Sequence, residues 1–131
     1  MTISERARAT VAEMPQHVPG RLLTHEQVQA AFDVLTSSSE AAGAARGMVI
    51  RTEYKAKRVF ARLYLQSTEK TADARKAWAT CHEEYDAACE AHAAAEDEWE
   101  RLKDQRNKAE LIIEAWRTMS SNERGIMRAG R

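Results

Sequence analysis

Val28, Phe32, Leu35, Ser39, Ala42, Arg46, Val49, Glu53, Ala56, Phe60 and Leu63 follow one another in alternating steps of four and three, and most of them are apolar or small. Only a helix brings such steps onto one face, and a repeat averaging about 3.5 residues is the seam of a coiled coil. A second run with the same spacing comprises Tyr85, Ala88, His92, Ala95, Trp99, Leu102, Arg106, Ala109, Ile113 and Trp116. Between Gln66 and Thr80 the pattern breaks, with Ser67, Thr68 and Thr71 able to cap a helix and Ala72 to Ala79 long enough for about two turns. Two seams of similar length joined by a short connector predict an all-α, coiled-coil-like antiparallel helical hairpin.

Local signals set the expected boundaries. Pro15, Pro19 and Gly20 interrupt any helix begun at Ser4 to Met14, so residues 1–23 read as an N-terminal arm. Thr24 followed by Gln27 has capping-box spacing, and Thr80 followed by Glu83 repeats it. The hairpin domain is expected over 24–120, with helices at about 25–66, 72–79 and 81–119. Residues 121–131 read as a basic C-terminal tail. Ser37, Ser38, Ser39, Gly43 and Gly47 weaken the middle of the first helix, which is nonetheless expected to be continuous. The chain has 131 residues, of which only 5 are Gly and 2 are Pro, one domain's worth of sequence with little to break long helices.

Charge orients the hairpin. Arg46, Arg51, Lys55, Lys57, Arg58 and Arg62 stand against Glu53 alone, whereas Glu83, Glu84, Asp86, Glu90, Glu96, Asp97, Glu98 and Glu100 have no base among them. Folding back lays these blocks side by side, with Arg62 near Tyr85 and Arg46 near Arg101. The same register brings Phe60 and Leu63 to Tyr85 and Ala88, Val49 to Trp99, and Leu35 and Phe32 to Ile113 and Trp116. Such surface pairs are worth at most about 1 kcal/mol each and select orientation more than they stabilise. Ile50, Tyr54, Ala61 and Leu65 form a second stripe on the first helix, with Ile112, Ala115 and Met119 on the second. Two helices rarely make a core alone, so these residues predict a homodimeric four-helix bundle; the alternative is that the arm and the Trp78 segment fold back over them.

Catalytic chemistry has little to stand on. Cys81 and Cys89 are separated by a helical rise of about 12 Å, beyond disulfide reach, and read as free thiols in a reducing compartment. Cys81, His82, Asp86, Cys89 and His92 invite a metal reading, but Cys81 lies two turns from Cys89 and His92 belongs to the seam, so no metal is expected. The carboxylates from Glu83 to Glu100 lack a pocket to separate their pKa values, and no phosphate loop or nucleophile elbow is present. A non-enzymatic protein without cofactor is expected. With 20 basic and 20 acidic side chains, no net field draws the whole chain to nucleic acid or anionic lipid. No run of about 18 apolar residues suggests a membrane span, and the polar start does not read as a signal peptide. Local charge leaves two candidate surfaces. Arg6, Arg8, Arg21, Arg117, Arg124, Arg128 and Arg131 would gather at one pole of the hairpin, where Arg21, Arg117, Arg124, Arg128 and Arg131 are candidate contacts to nucleic acid or a partner. Glu83, Glu84, Glu90, Glu96, Asp97 and Glu100 offer an acidic face able to stand in for phosphates.

Along Arg51-Thr-Glu-Tyr-Lys-Ala-Lys-Arg-Val-Phe-Ala-Arg-Leu-Tyr-Leu, Thr71-Ala-Asp-Ala-Arg-Lys-Ala and Ala109-Glu-Leu-Ile-Ile-Glu-Ala-Trp-Arg117, the chain resembles a diffuse group of small helical proteins of tailed bacteriophages and prophages. Members of that group are found among early genes for recombination and replication. The resemblance spans roughly residues 48–119 and assigns no functional residue. It implies a phage protein in the cytoplasm of a bacterial host, contacting a phage or host protein of DNA metabolism. Three functions are therefore expected in turn: an accessory factor in phage DNA recombination or replication, a host-directed inhibitor using the acidic face, or a direct DNA binder.

Overall fold

The computed structural model describes residues 23–130. They form α1 (His25–Gln66), α2 (Ala72–Thr80) and α3 (Glu83–Ala129), with no strand among the described residues. The two long helices pack against each other as an all-α hairpin. No helix among these residues is long and apolar enough to cross a membrane.

Helix α1 starts where its capping box dictates. The Thr24 amide donates to Gln27 Oε1 at 2.8 Å and the Gln27 amide to Thr24 Oγ1 at 3.2 Å, pairing two backbone donors that the helix cannot pair itself. It then runs unbroken for 42 residues. In its weak middle hydroxyls turn back on the preceding turn, with Thr36 donating to the Phe32 carbonyl at 3.0 Å and Ser39 to that of Thr36 at 3.3 Å.

In the connector, the Ser67 amide still donates to the Leu63 carbonyl at 3.0 Å, and the nearly buried Ser67 hydroxyl accepts from the Glu69 amide at 3.2 Å. Thr71 then caps α2, accepting from the Ala74 amide at 3.1 Å. The capping box expected at Thr80 and Glu83 does not form. Thr80 is the last residue of α2, and its hydroxyl donates to the Lys76 carbonyl at 2.7 Å. His82 opens α3 instead: its Nδ1 accepts from the Glu84 amide at 3.1 Å and its carbonyl from the Asp86 amide at 3.1 Å. The amide of Cys81 bonds the Ala77 carbonyl, so α2 lasts long enough to consume Thr80 before the chain turns.

Helix α3 also departs from expectation, running to Ala129 rather than ending near Met119 with a tail behind it. Residues 120–125 contain no proline, and one helical glycine costs only about 1 kcal/mol, too little for Gly125 to stop the helix. The end comes at Gly130, whose amide donates to the Ile126 carbonyl at 3.0 Å. Of the expected arm over 1–23, residues 1–22 lie outside the described residues.

The chain divides into two units. One combines the described residues up to Ala42 with those from Arg101 onward. Its core is Ala31, Val34, Ala109 and Ile113, with Leu35 and Ile112 packed against it. Arg106 Nη1 donates to the Leu35 carbonyl at 3.0 Å and to the fully buried Ser38 hydroxyl at 2.9 Å. The other unit is Gly43–Glu100. Here the Phe60 and Tyr85 rings meet edge to face at 5.3 Å, Thr52 Oγ1 lies 3.0 Å from His92 Nδ1, and the Arg46 guanidinium sits 5.8 Å from the centre of the Trp99 ring. In both units falling numbers on α1 meet rising numbers on α3, so the helices are antiparallel within each.

The seam on α3 buries Ala88, Ala95, Leu102, Ala109 and Ile113 and half-buries Tyr85, His92, Trp99 and Arg106, all at expected positions. Trp116 departs from the pattern at 38% exposed. On α1 every second position from Phe32 to Glu53 is shifted by one residue, while Phe60 is half-buried where expected. Ala31, Ser38 and Ala45 are buried and Thr52 half-buried, whereas Phe32, Ser39, Arg46 and Glu53, expected in the seam, are exposed. One residue is a rotation of about 100° around the helix. The small side chains bring the backbones close, and the rotation keeps two charges in water, where burial would be costly. It also leaves the Arg46 guanidinium over the Trp99 ring.

Candidate interaction surfaces

Because Ala45, Val49 and Leu63 point inward in the Gly43–Glu100 unit, the residues on the far side of α1 face solvent. They form two adjacent stripes. Ile50, Tyr54, Ala61 and Leu65, expected at a dimer interface, are all exposed, Tyr54 at 59% and Leu65 at 78%. Beside them run Arg51, Lys55 and Arg58, also exposed. Arg51, Tyr54, Lys57, Arg58 and Ala61 line an open groove of about 480 Å³. Lys57 bridges to Glu53 on its own helix at 3.3 Å and lies 5.9 Å from the centre of the Tyr54 ring.

On α3 the same logic points the acids outward. Ala88 and Ala95 face the seam, and Glu83, Asp86, Glu90 and Asp97 stand on the opposite side, exposed and without an ion pair among the described residues. The expected meeting of the two charged blocks is realised across the helices between Arg62 and Glu84. The hydrogen bond and charge of Arg62 hold the Glu84 carboxyl below its ordinary pKa, with a smaller contribution from His82. Glu96 turns to His92 on its own helix, 3.0 Å away. Glu100 is exposed. Most of the basic block misses the acidic block because Arg51, Lys55 and Arg58 lie opposite the seam, a consequence of where the seam sits on α1.

A groove of about 410 Å³ beside the seam is lined by Glu53, Ala56, Lys57, Phe60, Tyr85, Cys89 and His92. Hydrogen bonding with Cys89 above all, together with a charge interaction with it and some burial, raises the pKa of the Tyr85 hydroxyl. Cys81 is exposed, and both cysteines are free. Among the described residues no three His, Cys, Asp or Glu side chains come together as a metal cage.

The first unit presents a different surface. Ile112, expected at the dimer interface, is half-buried against the unit's own core; Ala115 is exposed and Met119 half-buried. Phe32, Leu35, Glu110, Ile113, Glu114 and Arg117 line a cleft of about 390 Å³. Arg117, Arg124 and Arg128 share one face of α3, and Arg124 Nε donates to the Ser120 carbonyl of its own helix at 3.3 Å. Arg6, Arg8, Arg21 and Arg131, expected at this pole, lie outside the described residues. Sequence reasoning did not single out Ile126, 73% exposed on the last turns of α3, because it ended the helix too early. It also missed the buried hydroxyl of Ser38 and its bond to Arg106, for which the signal was a serine one step before the assumed seam position. No protein-family profile, curated protein or solved structure matches this chain.

Proposed function

We propose that this protein is a non-enzymatic helical interaction module that self-associates and acts by protein–protein contact through the outer face of α1 between Ile50 and Leu65. The observation that carries the reading is the stripe of Ile50, Tyr54, Ala61 and Leu65, left exposed by a hairpin whose own seam is already filled. An aromatic and aliphatic stripe rimmed by arginines is the composition of a contact surface rather than of a solvated helix face. The sequence resemblance supplies the setting, an accessory factor in phage DNA recombination or replication in a bacterial cytoplasm.

A second reading, a host-directed inhibitor, is favoured by the outward Glu83, Asp86, Glu90 and Asp97, which are not neutralised by the basic block. Direct DNA binding through Arg117, Arg124 and Arg128 is the third and predicts steeply salt-dependent affinity for oligonucleotides. Affinity capture from phage-infected cells separates them. Retention of a recombination or replication protein, lost with Tyr54→Glu and Leu65→Glu, supports the accessory role. Retention of a host nuclease or defence protein, lost with Glu83→Lys and Glu90→Lys, supports inhibition and overturns the first reading.

A further inference from the structure

The two outer edges of the Gly43–Glu100 unit are opposite in sign and alike in spacing. On α1, Arg51 and Arg58 are seven residues apart, as are Tyr54 and Ala61 beside them. On α3, Glu83, Glu90 and Asp97 recur every seven residues, as do the exposed Ala87 and Ala94 beside them. Seven residues of helix rise about 10.5 Å, so the two edges carry the same repeat. The α1 edge has bulk to insert, and the α3 edge has alanines that leave room for it.

Resting on the self-association proposed above, we infer that the occupant of the α1 outer face is the α3 outer face of a second copy. The bases of one chain then meet the acids of the next, while Tyr54 enters the space over Ala87 and Ala94. Pairing α1 with α1 would instead set Arg51, Lys55 and Arg58 against their own copies, and like charges at helix-neighbour distance repel. The contact is therefore heterologous. Each added chain leaves one α1 edge and one α3 edge free, so assembly proceeds beyond two chains instead of closing as a symmetric dimer. Because exposed charges orient the contact, salt weakens it.

Sedimentation velocity on the full chain tests this. The wild type is expected to show a mean mass that rises with concentration past the dimer, with association at least about tenfold weaker at 0.5 M than at 0.05 M salt. R51E/R58E gives a chain acidic on both edges, and E83K/E90K/D97K a chain basic on both; each alone stays monomeric, and circular dichroism checks that both remain helical. Mixed in equal amounts they are expected to assemble past two chains again, since the native edges pair as in the wild type and the two reversed edges are complementary to each other. A wild type that closes at two, with E83K/E90K/D97K still dimerising alone, would overturn the inference and leave self-association through the apolar stripe standing. A wild type that stays monomeric up to about 100 μM, far above ordinary working concentrations, would overturn both.

Discussion

The two units solve the same packing problem with different chemistry. Around Ala31, Val34, Ala109 and Ile113 the helices meet through small and branched aliphatic side chains, and the Arg106 guanidinium crosses to the Leu35 carbonyl and the buried Ser38 hydroxyl. In the Gly43–Glu100 unit the crossings are mixed: an aromatic pair at Phe60 and Tyr85, a hydroxyl beside an imidazole at Thr52 and His92, and an exposed ion pair at Arg62 and Glu84. Aliphatic layers hold the helices together but tolerate sliding, because one alanine fits as well as the next. Polar crossings can be satisfied in one alignment only and so select the register. The unit richer in polar crossings also carries both charged outer edges, and a slip there would rotate those edges away from solvent.

The largest expected effect comes from emptying an aliphatic layer. Leu63 and Leu102 are among the largest fully buried side chains, one in each unit. Leu63→Ala and Leu102→Ala should each cost about 2–4 kcal/mol, read as a lowered denaturation midpoint. If the units differ as described, the two losses fall at similar denaturant concentrations while tertiary probes near Phe60 and Tyr85 respond only to Leu63→Ala.

Next in size is the buried polar crossing. Arg106→Met leaves the Ser38 hydroxyl buried and without its partner, which should cost about 1–3 kcal/mol. Adding Ser38→Ala to that variant removes the orphaned group and should recover most of the loss. A double-mutant cycle in urea measures the coupling, and additive losses would show that Arg106 acts through packing alone.

These residues also mark where the sequence was legible. Thr24 and Gln27 are a local device, three residues apart, and form the expected reciprocal bonds. The α3 seam is readable because Leu102 and Ala109 stand between charged neighbours. On α1 the true seam runs through Ala31, Ser38 and Ala45, whose small side chains carry little hydropathy, so the adjacent Phe32 pulled the reading one residue out of phase. That error propagates: the side of α1 on which the arginines lie is set by the seam, and pairing with the acids was overestimated for that reason. The exposed stripe from Ile50 to Leu65 was legible because its large side chains fall outside either choice of seam. Thr80 and the end of α3 were missed because capping signals compete, and which one wins depends on how far the preceding helix propagates.

A smaller effect, of opposite sign, tests the weak middle of α1. A methyl built at Gly43 would meet nothing within 4 Å, so the glycine serves no packing purpose there. Gly43→Ala should stabilise the hairpin by about 0.5–1 kcal/mol, through helix propensity and a less flexible unfolded chain. No gain in melting temperature would mean that the segment needs its flexibility.

The smallest effect concerns the ion pair of Arg62 and Glu84, which crosses between the charged blocks. Arg62 holds the Glu84 carboxyl below its ordinary pKa in the folded chain. The unfolded chain therefore takes up the proton first as pH falls, and stability drops with it. The contribution is complete at neutral pH, begins to fade as the solution passes the ordinary carboxylate range, and is gone once the folded-state group is protonated too. Both partners are about half exposed, at 47% and 51%, so solvent and salt screen the pair. Urea midpoints of the wild type and Glu84→Gln should differ slightly at pH 7, and the difference should shrink as the pH falls below the ordinary carboxylate range. An equal difference measured in an Arg62→Met background would mean that Glu84 acts through its helix-terminal position at the start of α3 and not through Arg62.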